Sequence, residues 1–187
     1  YNTVQIGTQC WMKENLRVTE YAVGTTIPLG TSTSTTTAYR YNPNNNSITV
    51  STYGYLYNWI AVMGGSASSS ANPSGIQGIC PTCWHVPSDA EWTQLTGYVS
   101  SQSQYRCDNT STYIAKALAS TTGWHTAYET CAVGNTPSTN NATDFSALPA
   151  GDYDGSYDFF GRIAYFWIAT SLDGSIARLF YLFYVSN

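Results

Sequence analysis

At 187 residues with a net charge of −4, the chain is long enough for one domain with a full core and too short for two. Only 10% of its residues are charged and its seven Lys and Arg are scattered, which excludes nucleic acid as a partner, since a phosphate-binding face needs clustered cations. No stretch approaches the roughly 20 apolar residues of a spanning helix, so no membrane span is expected in this chain.

Residues 1–18 place Val4, Ile6, Cys10, Trp11, Met12 and Leu16 around Gly7-Thr8, which predicts two short strands and a turn. Residues 25–50 form a polar excursion, with a Ser/Thr tract after Gly30 and the turn cluster Asn42-Pro-Asn-Asn-Asn46; surface loop with one weak hairpin is expected. Tyr55, Leu56, Trp59, Ile60 and Met63 recur at helical spacing before Gly64-Gly65, predicting a helix over 53–63. The run Cys80-Pro-Thr-Cys-Trp-His-Val-Pro-Ser-Asp-Ala-Glu-Trp92 follows. In it Ser88 and Glu91 have the spacing of a capping box, and Trp92, Leu95 and Val99 give the helix that starts there one buried face. A shorter helix is expected over 113–119. Beyond Phe145 the chain is turn-rich and aromatic, with apolar runs at 163–169 and 176–185 suited to paired strands.

These elements predict a single α+β domain over 1–187 with two or three short helices, small antiparallel sheets and much loop. The opening and closing strands both look cut from something longer. Ser, Thr, Asn, Gly and Tyr occupy the surface positions that Lys and Glu usually take, and with five cysteines they suggest an extracellular location and an oxidising compartment. Cys107 and Cys131 flank the helix expected over 113–119 and form the expected local bridge. Cys10 is then expected to pair with Cys80 or Cys83, leaving one thiol over.

Cys80-Pro-Thr-Cys83 has the spacing of a redox motif, but the following helix starts several residues later, away from the sulfurs. Zinc needs four convergent ligands, and only His85 and His125 could join the cysteines; structural disulfides are the better reading. His85, beside the helix cap, reads as a satisfied, partly buried histidine. Asp152, Asp154 and Asp158 surround a glycine and offer half of a calcium loop, against the plainer reading of solvated turn aspartates. Asn45, Asn109 and Asn141 begin Asn-x-Ser/Thr triplets, and the tract at 31–37 is rich in hydroxyls. Sixteen Tyr and six Trp exceed what one core of this size hides, and exposed rings stack on sugars or anchor protein contacts. Trp11, Trp59, Trp84 and Trp92 are read as core. Tyr153, Tyr157, Phe159, Phe160, Tyr165, Tyr181 and Tyr184 are the candidates for a displayed surface.

Five segments occur in order: Val4-Gln-Ile-Gly-Thr-Gln-Cys-Trp-Met-Lys-Glu-Asn-Leu16, Tyr53-Gly-Tyr-Leu-Tyr-Asn-Trp59, Ile79-Cys-Pro81, Trp84-His-Val-Pro-Ser-Asp-Ala-Glu-Trp92 and Phe145-Ser-Ala-Leu-Pro149. Together they resemble the Fibrobacter succinogenes major paralogous domain. That resemblance implies an exported or surface-attached bacterial module, often the C-terminal part of a longer and sometimes pilin-like protein. It also implies distant kinship with the C-type-lectin-like fold of formylglycine-generating enzymes. Such oxidases draw their cysteines from the late part of the domain, where this chain has none. Cys83 stands where the family pattern usually has glycine, and the chain stops before a final Arg-Cys strand whose cysteine would pair the leftover thiol. The expectation is a non-enzymatic surface module that binds carbohydrate or a surface protein through displayed rings. A structural subunit that self-assembles into a filament or pilus is the alternative, and an oxidase relative the third reading.

Overall fold

The computed structural model describes residues 1–172 and 176–187. Among these the strands pair as four antiparallel ribbons of two. They are β1 (Thr3–Ile6) with β2 (Gln9–Met12), β3 (Arg40–Tyr41) with β4 (Leu56–Tyr57), β5 (Asp152–Tyr153) with β6 (Tyr157–Asp158), and β7 (Ile163–Ser171) with β8 (Ala177–Phe183). Four α-helices accompany them, one or two more than expected: α1 (Val50–Tyr53), α2 (Trp59–Met63), α3 (Asp89–Ser101) and α4 (Ala115–Leu118). The α+β class stands.

The longest helix, α3, starts where the capping residues put it. The Ser88 hydroxyl accepts from the Glu91 N–H at 3.3 Å, and the Glu91 carboxylate accepts from the Ser88 N–H at 2.9 Å, so two otherwise orphaned donors are satisfied reciprocally. Its buried stripe of Trp92, Leu95 and Val99 packs with Ile6 of β1, Leu118 of α4, Phe145 and the inner face of β7–β8. Trp92 lies stacked on Phe180 at 4.1 Å. The Cys107–Cys131 disulfide forms as expected, with Cα atoms 5.6 Å apart. Closing that loop stabilises the fold by about 3 kcal/mol on the chain-entropy account.

The helix expected over 53–63 is broken. Gly54 takes φ 71° and presses on the chain after β2, where a Cβ would meet Asn15 Cβ and Leu16 O at 2.7 Å. A strand residue pair, β4, intervenes before Asn58 restarts the chain as α2, its side-chain Oδ1 accepting from the Ala61 N–H at 3.2 Å. Periodicity saw the apolar residues; it missed a contact made 38 residues back, where Asn15 donates to the Tyr53 carbonyl.

Ribbon β7–β8 divides the interior. Strand alternation sends Ala164, Phe166 and Ile168 one way and Tyr165, Trp167 and Ala169 the other. The first set joins the core of α3. Ala169 joins a second, smaller core with Ile27, Ala61, Val62, Ile79, Cys80 and Val86, on which Trp167 packs. Tethers across the sequence hold the halves together: Gln94 donates to Thr8, the Asp89 N–H to Thr170, and the Trp167 indole to the Tyr57 carbonyl at 2.7 Å.

Candidate functional site: an aromatic cleft

Between β2, α2, the 80–87 loop and the outer face of β7–β8 opens a cleft of about 1400 Å³. Tyr165, Trp167 and Leu179 supply its floor, because their face of the ribbon points away from the α3 core. Trp11 enters from β2, Trp59 from the first residue of α2 and Trp84 from the loop. Trp59 leans on Trp167 with centroids 5.6 Å apart. Trp92 also reaches the wall, so five of the six tryptophans border one cavity. Between the rings stand neutral amides and hydroxyls such as Thr8, Asn72 and Gln94.

Of the seven rings expected to be displayed, the structure gathers four about this cleft. Tyr165 and Tyr153 line it. Tyr181 faces Tyr165 across the ribbon at 6.0 Å, and Tyr157 leans on Tyr153 at 4.6 Å. The other three lie elsewhere: Phe160 packs on Tyr53, Tyr184 on Phe183 and toward His125, and Phe159 is exposed. The tryptophans meet the expectation in part. Trp92 is core, and Trp11 and Trp84 pack against the two cores, but Trp11, Trp59 and Trp84 are half-buried and open to the cleft. No local signal shows this for Trp59, since only the break at Gly54 shortens the helix read over 53–63 to five residues, too few to cover an indole on every side.

The bridge from Cys10 does not form, and Cys10, Cys80 and Cys83 are all free thiols. Cys80 is turned into the second core, whose burial pushes its thiol up to about 12; Cys10 is exposed on β2 and Cys83 on the loop, so the sulfurs border one cleft from different layers. Cys83 occupies the third position of a turn closed by the Trp84 N–H on the Pro81 carbonyl at 3.0 Å, with φ 72°. That left-handed position suits glycine, which is the physical reason a glycine belongs there.

His85 is held as expected. Its Nε2 lies 2.6 Å from Glu91 Oε1, while Glu91 Oε2 accepts from the N–H groups of Ser88 and Ser74. The buried carboxylate is therefore fully engaged, and it fastens the loop carrying Trp84 and His85 to the start of α3. Asp152, Asp154 and Asp158 close as the hairpin β5–β6, in which the Ser156 hydroxyl donates to Asp158. They do not gather as an ion site: among the described residues no three His, Cys, Asp or Glu side chains are placed to hold a metal ion. Asp152 borders the cleft. Burial raises its carboxyl to about 6, helped by the charges of Asp154 and Asp158. Of the three Asn-x-Ser/Thr triplets, Asn45 and Asn109 are exposed, whereas the Asn141 amide is spent on Ser146 in both directions.

No helix among the described residues is long and apolar enough to cross a membrane. No curated protein and no solved structure matches the chain, so the C-type-lectin-like relationship has no structural neighbour to support it. A sequence model of the Fibrobacter succinogenes major domain, however, spans residues 4–184, nearly everything described above, and the chain belongs to that family.

Proposed function

We propose that the protein is a non-enzymatic recognition module, working outside the cell or on its surface, that holds carbohydrate in the aromatic cleft. The observation that carries this reading is the half-buried wall of Trp11, Trp59, Trp84 and Trp167 around one cavity. Indole and phenol faces pack against the C–H faces of sugar rings, and the intervening amides and hydroxyls match their hydroxyls. The extracellular location draws support from the Cys107–Cys131 disulfide and the charge-poor surface.

The test is a glycan array followed by calorimetry on the best ligand. Trp59→Ala, which removes the ring facing Trp167, lowers affinity at least tenfold while the protein stays folded by circular dichroism. An array with no binder, or unchanged affinity in the variant, rejects the reading. The filament alternative has one feature in its favour: Leu179 and Tyr181 on β8 are 40% and 57% exposed, with Ile176 at 54% beside them, an apolar strip open to a neighbouring subunit. Ordered polymers of the purified protein would put that alternative first.

A further inference from the structure

Beyond Tyr153 lies a second cavity, of about 290 Å³, bordered by Tyr153, Tyr157, Asn42, Asn45, Thr31 and Leu29. Tyr153 is a wall of both cavities. The small pocket is at the lower limit for small-molecule sites, with room for one ring rather than a chain.

Three observations make it a built site rather than a surface dimple. First, its aromatic side is a row of rings in tilted contact, Tyr41 to Tyr153 at 4.4 Å and 32° and Tyr153 to Tyr157 at 4.6 Å and 44°. Second, the bordering loop is pinned to that row. The Tyr41 hydroxyl donates to the Ser32 carbonyl at 2.9 Å and the Tyr153 hydroxyl to the Thr31 carbonyl at 3.3 Å. Gly30 sits so close that a Cβ would lie 2.5 Å from the Tyr41 ring. Third, the turn opposite satisfies its own backbone, the Asn45 N–H donating to the Asn42 carbonyl and the Asn46 N–H to Pro43. Asn44 and Asn45 are both left-handed, φ 52° and 53°, a conformation that asparagine tolerates better than most residues. The Asn42 side chain makes no capping hydrogen bond, in contrast with those of Asn46 and Asn58, and Asn45 is exposed.

Tyrosine rings on one side, with the amides of Asn42 and Asn45 on the other, fit a sugar ring presenting its C–H face and its hydroxyls. No Lys or Arg borders the pocket, and the carboxylates of Asp154 and Asp158 flank Tyr157 in sequence, so an acidic sugar is disfavoured. We propose that this pocket is a separate subsite for the terminal ring of a neutral oligosaccharide whose other rings lie in the cleft, with Tyr153 as the partition between them. The proposal rests on the carbohydrate reading of the cleft.

The experiment is calorimetry with neutral oligosaccharides of increasing length, taken from the best array ligand, on protein whose intact mass shows Asn45 unmodified. Affinity is expected to step up at the length that first reaches the pocket. Tyr157→Ala and Asn42→Ala should remove that step, costing about tenfold for long ligands and nothing for short ones, whereas Tyr157→Phe keeps the ring and the step. Trp59→Ala should weaken long and short ligands alike. Should Tyr157→Ala not fold, Asn42→Ala decides. A series without a step, or pocket variants that weaken short and long ligands equally, overturns the subsite and leaves the cleft. Absence of binding at every length removes the cleft reading and the subsite with it.

Discussion

The two cores of this protein are finished to different degrees. Around α3 the deepest positions are closed: Leu95, Val99, Leu118 and Val133 have no measurable exposure, on a capped 13-residue helix and its packed neighbours, and partly buried rings such as Trp11 and Phe166 lie only at the edge. Among the described residues the second core is smaller, with seven buried members, and the aromatic residues packed against it, Trp84 and Trp167 among them, stay half-buried. Regular elements with one apolar face can hide that face completely. Loops and segments of two to five residues cannot, and here the rings of Trp11, Trp59 and Trp84 that they leave uncovered join Trp167 of β7 as walls of a cavity.

The sharpest way to break this contrast is to damage each side. Leu95→Ala should cost about 3–5 kcal/mol through lost burial and a residual cavity. Denaturant unfolding measures it, and the molecules that remain folded should keep full affinity at the cleft. Loss of binding per folded molecule would show that the two sides are one unit.

A smaller effect belongs to Asp152, on the cleft side. Its carboxyl is raised from 3.8 to about 6 in the fold, so between those values the folded chain binds more protons than the unfolded one. The contribution of Asp152 to stability is therefore full at pH 4 and below and is lost as pH rises through 6, when charge is forced onto a poorly solvated group. Asp152→Asn should stabilise the protein at pH 7 by on the order of 1 kcal/mol, a figure already discounted for solvent screening of a half-buried group. That gain should vanish near pH 4. Equal gains at both values in urea titrations would refute the assignment. The smallest expected change is Cys83→Gly, which relieves a side chain at φ 72° and should add up to about 1 kcal/mol; a loss of stability would mean that the thiol contributes more by contact than the turn loses by strain.

Which parts of this were readable in the sequence follows from how far apart their causes lie. The α3 cap, the first hairpin, the paired strands after residue 163 and the Cys107–Cys131 pairing depend on neighbours or on one nearby segment, and all four appear as expected. The break at Gly54 depends on Asn15 and Leu16. The free state of Cys10 depends on Cys80 being drawn into a core shared with Ile27 and Ala169. Composition points to surplus rings without saying which are exposed, and no local pattern shows that Trp59 meets Trp167, more than a hundred residues away. Tyr153, Tyr157, Tyr165 and Tyr181 stand in turn-rich sequence or alternate along a strand, patterns that push side chains outward.

The tethers between distant segments have a kinetic consequence. Trp167 to Tyr57, Thr170 to Ser69 and Tyr153 to Thr31 join residues 110, 101 and 122 positions apart. Closing such loops costs entropy before any contact repays it, and chains dominated by such pairings mature in milliseconds to seconds. The hairpins and α3 can assemble early from local instructions. The cavity walls, which need partners from both ends of the polypeptide, are then the last surface to take shape.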